Sequence, residues 1–308
     1  MPGIYVFSED SALAKQLLTP ALELKKSLGQ LIIALALDEA EAKELAALGA
    51  DKVVVLNSAG TCPEGFAEAI YSRVSANGAS VLLVGGTLRG KHVAAHVAAK
   101  LNAGMTTDAK TLKIENGKLV AERVLYAGLA LCEEEVALPA VATVRARTFV
   151  APTAAAGSGA IETAAVAGDS RVTVKGVTPT GGTGIDIGAA NKLVSVGRGF
   201  RKKEDLTLAK ELGAALKAEL SCTRGIAEDE HWLPIERYVG ISGQAVKPDL
   251  YFAVGLSGQV QHMVGCRESK VIVAVNNDER APIFEAADYG IVGDLYEVLP
   301  LLTAAVGN

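Results

Sequence analysis

AVGLSGQVQHMVG, residues 253–265, runs an apolar strand into a glycine-serine turn and then into a helix carrying a histidine one turn in. A wholly apolar strand followed by a helix is the repeating unit of a parallel sheet covered on both faces. A small-residue turn at that junction leaves backbone N–H groups free to hold a phosphate. The chain has four histidines, so one placed here raises the question of what lies beyond the strand end.

The same rhythm extends outward. KLVSVGRGF (192–200) reads as a strand ending in glycines, followed by an amphipathic helix over 202–220. DLYFAVG, KVIVAVN and DYGIVGD read as three more strands, each with a helix candidate after it. Upstream, apolar runs at 4–7, 31–37, 53–56 and 81–84 alternate with helical patterns near 11–28, 38–48, 63–77 and 88–101. The Asn116-Gly117 pair between alternating segments predicts a hairpin. Residues 110–150 are therefore expected as antiparallel strands added to the first sheet. The Ala/Gly/Ser/Thr-rich 151–170 reads as a loose surface connection, RVTVKGVTPT (171–180) as one more strand, and GGTG (181–184) as a linker. The expected fold class is α/β, two doubly wound parallel-sheet domains, the first with added antiparallel strands. The expected boundaries are 1–188 and 189–308, with no cofactor in the first.

Composition narrows the function. At 308 residues, half of them apolar and 21% charged, the chain is an ordinary globular one. A net charge of −5 argues against a nucleic-acid binder. LIIALAL is too short to span a bilayer, so no membrane insertion is expected. The chain enters a strand at once with no leader-like segment, which predicts a cytoplasmic protein. The four cysteines lack metal-site or disulfide spacing and read as reduced thiols.

Two constellations compete for a ligand. GGTLRGKH (85–92) fits G-x-x-x-x-G-K, but a phosphate-binding loop of that kind continues with Ser or Thr to hold Mg²⁺, and here His92 follows. His92 and His96 share a helix face without the glutamate of a zinc-protease helix. Both read as solvated surface. In the second half, small and polar residues gather at four strand ends: Gly197-Arg198-Gly199, Gly255-Leu256-Ser257-Gly258, Asn276-Asn277-Asp278 and Gly293-Asp294. The helix after the first strand leads to Thr223-Arg224. Ligands of open parallel sheets bind beyond the carboxyl ends of the strands. A nucleotide-type ligand there is the expectation, with Asn276 as a cap and Asp294 as an N-cap being the structural alternatives.

SVGRGF, CTRGIAEDEHWLP, RYVGISG, DLYFAVGLSGQVQHMVG and SKVIVAVNNDERAPIFEAADYGIVGDLYEVLP together resemble the alpha subunit of electron transfer flavoprotein, in its bacterial Fix-type form. The likeness is dense over 192–302 and fainter through the first domain. It implies FAD in the C-terminal domain and a beta subunit carrying AMP or a second FAD. It implies electron shuttling between flavoprotein dehydrogenases and a ferredoxin- or quinone-linked acceptor, with no stand-alone enzyme activity. The FAD contacts it implies are Arg198, Thr223, Arg224, Val239, Gly240, Ile241, Ser242, Ser257, Gly258, Gln259, Val260, Gln261, His262, Asn276, Asp294 and Leu295. Ser242 is expected to reach flavin N5, and Arg224 with His262 to stabilise negative charge on the reduced ring. Arg224 could instead pair with Glu228 or Asp229. The family segment close to Q-T-G-K or Q-S-G-K is here Ile241-Ser242-Gly243-Gln244, which keeps the hydroxyl and replaces the amide and the lysine. The alternative function is a nucleotide-binding regulatory or interaction protein with a vestigial flavin site.

Overall fold

The computed structural model describes residues 2–57, 62–126, 130–153, 159–165, 174–176 and 186–307. The chain divides into two compact units, Met1–Thr178 and Pro179–Asn308.

In the first unit, strands β1 (Gly3–Phe7), β2 (Leu31–Ala36), β3 (Lys52–Asn57) and β4 (Val81–Gly85) alternate with helices α1 (Ser11–Leu28), α2 (Glu39–Ala47), α3 (Ala67–Ala76) and α4 (Leu88–Leu101). Helix α1 shows why. Leu13, Leu17, Leu18, Ala21 and Leu24 recur at helical spacing and are all buried. Asp10 caps its first turn by accepting from Leu13 N at 3.1 Å. Gly29, at φ +63°, ends it in the left-handed conformation. Further strands are β5 (Gly104–Thr106), β6 (Ala109–Glu115), β7 (Lys118–Leu125), β8 (Ala130–Ala137), β9 (Ala140–Val144) and β10 (Ala160–Ala165). The main sheet is parallel in the order β10-β3-β2-β1-β4-β9-β5.

Two sequence expectations are corrected here. The antiparallel strands do not extend the first sheet; β6-β7-β8 form a sheet of their own. Their apolar face (Leu112, Leu119, Ala121, Val136) joins the core around α1, while Lys118–Glu135 and Arg123–Glu134 pairs occupy the sheet's polar positions. Residues 140–144, read as antiparallel, are instead the parallel strand β9. The connection 151–170 is not loose throughout either, because β10 pairs in register with β3. Alanine-rich AIETAA lacks the branched residues that mark a strand, and only its place beside β3 makes it one. Most of 171–180, and all of GGTG, lie outside the described residues.

The second unit is built from β11 (Lys192–Val196), α5 (Leu206–Leu216), β12 (Glu219–Cys222), β13 (Leu250–Val254), α6 (Val260–Cys266), β14 (Ile272–Asn276), α7 (Ile283–Ala286), β15 (Tyr289–Val292) and α8 (Leu295–Val306). All five strands are parallel, in the order β12-β11-β13-β14-β15. The helix expected over 202–220 is shorter, because Lys217 turns left-handed at φ +54° and the chain enters β12. Thr223 and Arg224 thus follow a strand. Their position joins the row of strand ends.

Candidate functional site

The chain leaves β11 toward β12 on one side and returns to β13 on the other, so the sheet reverses its order between β11 and β13. Such a switch point opens a crevice at the carboxyl ends of the strands. Glycines floor it. Gly255 sits at φ +60°, and a Cβ there would lie 2.8 Å from Leu295 Cδ2 and 3.0 Å from Gly199 Cα. A Cβ on Gly199 would lie 2.7 Å from Gly255 Cα. Gly199 N donates to Gly255 O at 2.8 Å, which locks the two strand ends together.

The turn above that floor is braced from both sides. Asn276 Nδ2 donates to Leu256 O at 2.9 Å, and Ile283 N donates to Ser257 O at 3.0 Å. Gly258 is left-handed at φ +75°, a conformation that costs any other residue about 1–2 kcal/mol. Gln259 precedes α6 without a side-chain cap. Among the described residues, the backbone N–H groups of Ser257, Gly258, Gln259, Val260 and Gln261 donate to no carbonyl or side chain. Ser257, Gln259, Val260 and Gln261 are exposed. Uncommitted N–H groups clustered on an exposed turn form an anion cradle.

The 239–242 segment leans on the same helix. Ile241 N donates to Gln261 O at 2.8 Å, and Gly240 packs so closely on Gly265 that a Cβ on the latter would lie 2.5 Å from Gly240 N. Val239 is fully buried in the core and its N–H donates to Cys222 O at 3.0 Å, so it backs the site. Tyr238, itself buried, holds Ser242 Oγ at 2.9 Å through its hydroxyl. Ser242 and Ile241 are exposed beside it.

Positive charge collects at the β11 and β12 ends. The Arg198 side chain lies over Gly225, its Cδ 3.1 Å from where a Cβ would stand. Arg224 Nε donates to Glu228 Oε2 at 2.6 Å, which raises the guanidinium's pKa. This is the alternative pairing that the sequence left open. The pair is exposed, so it is weakly held and exchangeable for another anion. A single π-turn, Gly225–Asp229, follows Arg224 and brings Glu228 back to it. A cleft of about 580 Å³ lined by Lys203, Glu228, His231 and Trp232 opens beside that turn. Thr223 N donates to Val196 O and ties the arginine's base to β11. On the opposite flank Asp294 caps α8 through Tyr296 N at 2.9 Å, and Leu295 is core. Those two act mainly on the fold.

His262 is enclosed by the fold. Its imidazole is buried, with Nε2 2.8 Å from Tyr251 Oη. Burial pushes its pKa down to about 4, against a smaller opposing pull from the Val239 backbone. The ring is therefore neutral at physiological pH and acts as a hydrogen-bonding group, not a cation. Nδ1 is a buried polar atom with no well-formed hydrogen bond. Tyr251, Tyr238, Ser195 and Ser221 escaped sequence reasoning because a lone tyrosine or serine, whether in a strand (Tyr251, Ser195, Ser221) or in the loop after β12 (Tyr238), carries no signal of its own.

The competing turn at 85–92 is filled from within. Gly86 N donates to Val144 O at 2.7 Å, and Gly90 N to Thr87 Oγ1 at 2.8 Å. The Thr87 hydroxyl in turn bonds the Glu9 carboxylate. Lys91, read as solvated, pairs with Asp108 at 2.7 Å. Among the described residues no group of side chains could hold a metal ion, no helix is long and apolar enough to cross a membrane, and all four cysteines are unpaired.

Residues 9–169 match the family model described as the electron transfer flavoprotein domain, and residues 186–267 match the electron transfer flavoprotein FAD-binding domain. Curated relatives named Protein FixB align along nearly the whole chain. The one from Escherichia coli O6:K15:H31 (strain 536 / UPEC) is 40% identical over 311 residues, covering 99% of this chain and 98% of the relative. Those from Escherichia coli O157:H7 and Shigella flexneri are each 39% identical with the same coverage.

Proposed function

This chain belongs to the electron transfer flavoprotein family, as an alpha subunit with FAD as its cofactor, and from that premise we propose that the strand-end crevice of the second unit is the FAD site. FAD, when bound, supplies one- and two-electron redox chemistry that no side chain can perform. The residues suit it on two counts. A pyrophosphate needs several N–H donors at close range, and the turn at 257–261 offers them above a floor where any Cβ would intrude. A planar heterocycle with acceptor edges needs groups fixed in advance, and tyrosines hold the Ser242 hydroxyl and, through Nε2, the His262 ring.

The roles follow from place. The N–H groups of Ser257, Gly258, Gln259, Val260 and Gln261 bind the diphosphate. Asn276 holds that turn in shape. Arg198, Thr223 and Arg224 form the cationic flank, with Arg224 released from Glu228 toward the ligand's negative charge. Gly240, Ile241 and Ser242 face the ring, with the Ser242 hydroxyl at N5, and His262 stands at the pyrimidine edge. Val239, Asp294 and Leu295 contribute backbone and packing. The first unit holds no cofactor in this reading: its turn commits the Gly86, Gly90 and Lys91 N–H groups within the protein and pairs Lys91 with Asp108.

Alpha subunits of this family pair with a beta subunit. We assign this chain the carrier's part: it takes electrons from a flavoprotein dehydrogenase or the partner's nucleotide and passes them to a ferredoxin- or quinone-linked acceptor, without turning over a substrate itself. Its unpaired thiols suit a reducing cytoplasm. The run of uncommitted N–H groups on a glycine floor carries the proposal. The test is to co-express the chain with the beta subunit encoded beside it. A yellow complex, bleached by a flavoprotein dehydrogenase and recoloured by an acceptor, is the expected result. A colourless chain that binds adenine nucleotide alone contradicts it.

A further inference from the structure

Ser242 is the exposed hydroxyl that the proposed function sets at the ring, and the fold behind it decides what that hydroxyl can offer. Residues 238–244 wrap around their own first side chain. A Cβ on Gly243 would lie 2.7 Å from Tyr238 Cδ1, and one on Gly240 would lie 3.0 Å from Tyr238 Cε2. The tyrosine ring therefore fills the loop, and the two glycines leave it room. Main-chain bonds close the loop: Gln244 N donates to Tyr238 O at 2.7 Å, and Gly243 N to Gly240 O at 3.0 Å. Ile241 N donates to Gln261 O at 2.8 Å, which fastens the loop to the N–H cradle at 257–261. Glu228 first, and Tyr238 after it, raise the Arg224 pKa, which sets the tyrosine hydroxyl near the cationic flank.

The bond between the two hydroxyls, 2.9 Å long, has a preferred direction. Tyr238 is 3% exposed, and among the described residues Ser242 Oγ is the partner of its phenol. A buried donor left unmatched costs about 1–3 kcal/mol, so the phenol gives its hydrogen to that oxygen. Ser242 is exposed, and its own hydrogen has solvent or a ligand to turn to. A hydroxyl carries one hydrogen and two acceptor lone pairs. With Tyr238 as donor, one lone pair of Ser242 Oγ is taken and the serine O–H turns away from the tyrosine. In the reverse direction the serine hydrogen would be spent on the tyrosine, and the phenol hydrogen would be stranded in the core.

We propose that Tyr238 is a positioning residue: its ring shapes the 239–243 loop, and its hydroxyl donates to Ser242 Oγ, which frees the serine O–H to donate to flavin N5. N5 bears an acceptor lone pair in the oxidised ring and gains negative charge when one electron is added. A serine already polarised by a phenol behind it is a stronger donor than a serine alone. The inference rests on the reading that places Ser242 at the ring, and the test separates the two.

The full chain is prepared with its beta subunit and loaded with FAD carrying ¹⁵N at N5, whose resonance moves upfield when N5 accepts a hydrogen bond. Ser242→Ala should shift it downfield and lower the equilibrium constant of the first one-electron reduction about fivefold, ~40 mV. Tyr238→Phe keeps the ring and removes the hydroxyl. It should shift N5 the same way and lower the constant about threefold, ~30 mV. Adding Tyr238→Phe to Ser242→Ala should change neither reading further. 3-Fluorotyrosine in place of Tyr238 keeps the shape and donates more strongly, so the potential should rise. N5 and potential moved in Ser242→Ala but not in Tyr238→Phe overturn the proposal and leave the site reading intact. A potential that falls or stays with 3-fluorotyrosine also overturns it, and this arm holds even if Tyr238→Phe does not fold. Both readings unmoved in FAD-loaded Ser242→Ala overturn proposal and site reading together.

Discussion

The turns at 85–92 and 255–262 are built on one plan: a buried strand, eight residues opening with glycine and ending in histidine, and a helix. They differ in where their backbone hydrogens go. In the first, Thr87 caps Gly90 N–H, Gly86 N–H reaches Val144 O, and a carboxylate from Glu9 sits on the threonine. In the second, the cap position is Gln259, whose side chain makes no capping bond, and five successive N–H groups have no internal acceptor. Glycine marks both turns, three in the first and two in the second. The first turn commits both of its inner glycine N–H groups, Gly86 and Gly90, to the protein; the second leaves Gly258 N–H and its four neighbours open.

The sharpest way to break this contrast is to block the second turn. Ser257 is exposed, so Ser257→Trp should leave the fold intact while its ring fills the approach to the N–H cradle. Flavin retention should fall at least ~100-fold, equivalent to about 3 kcal/mol. Absorbance of the purified complex reads this directly, and a fully loaded Ser257→Trp protein would refute the placement of the cradle.

The two histidines ending the turns should also part in their pH response. His262 titrates near 4 in the folded chain against 6.5 when exposed, because burial disfavours its charge. As pH falls below 6.5 the unfolded chain gains a proton that the native chain does not take until about 4. The stability contribution is complete above 6.5 and is lost between 6.5 and 4, by about 3 kcal/mol in all. Urea midpoints of the FAD-free chain at pH 7.5 and 4.5 should show this loss, and His262→Gln should remove most of it. The same substitution at His92, exposed at the other turn, is the control for the loss of an imidazole.

The smallest effect belongs to Lys91→Ala. It removes a partly exposed pair with Asp108, worth at most about 1 kcal/mol, and should leave flavin content unchanged. Loss of flavin in this variant, measured against the same protein concentration, would move the binding site to the wrong unit.

These contrasts also mark how far the sequence could be read. Alternating apolar runs were enough for four strands of each parallel sheet and for α1 and α4 to the residue, because fully buried strands and one-sided helices leave long periodic signals. β12 was missed: Glu219-Leu220-Ser221-Cys222 is too short and too mixed to alternate, and it is a strand because it completes the edge beside β11. β6-β7-β8 were legible as antiparallel strands but not as a separate sheet, since local pattern does not encode which edge a hairpin joins. At the site, strand-end composition pointed to the crevice. The charge state of His262 was not legible, because it depends on enclosure by elements from other parts of the chain. The exposed pairing of Arg224 with Glu228, one helical turn apart, was readable, and it was weighed only as an alternative.

Amide hydrogen exchange of the full chain, with and without FAD, tests the central claim most directly. On addition of FAD the amides of residues 257–261 should slow markedly, while those of residues 86–91 keep their rates. Protection appearing at 86–91 with 257–261 unaffected would contradict the account.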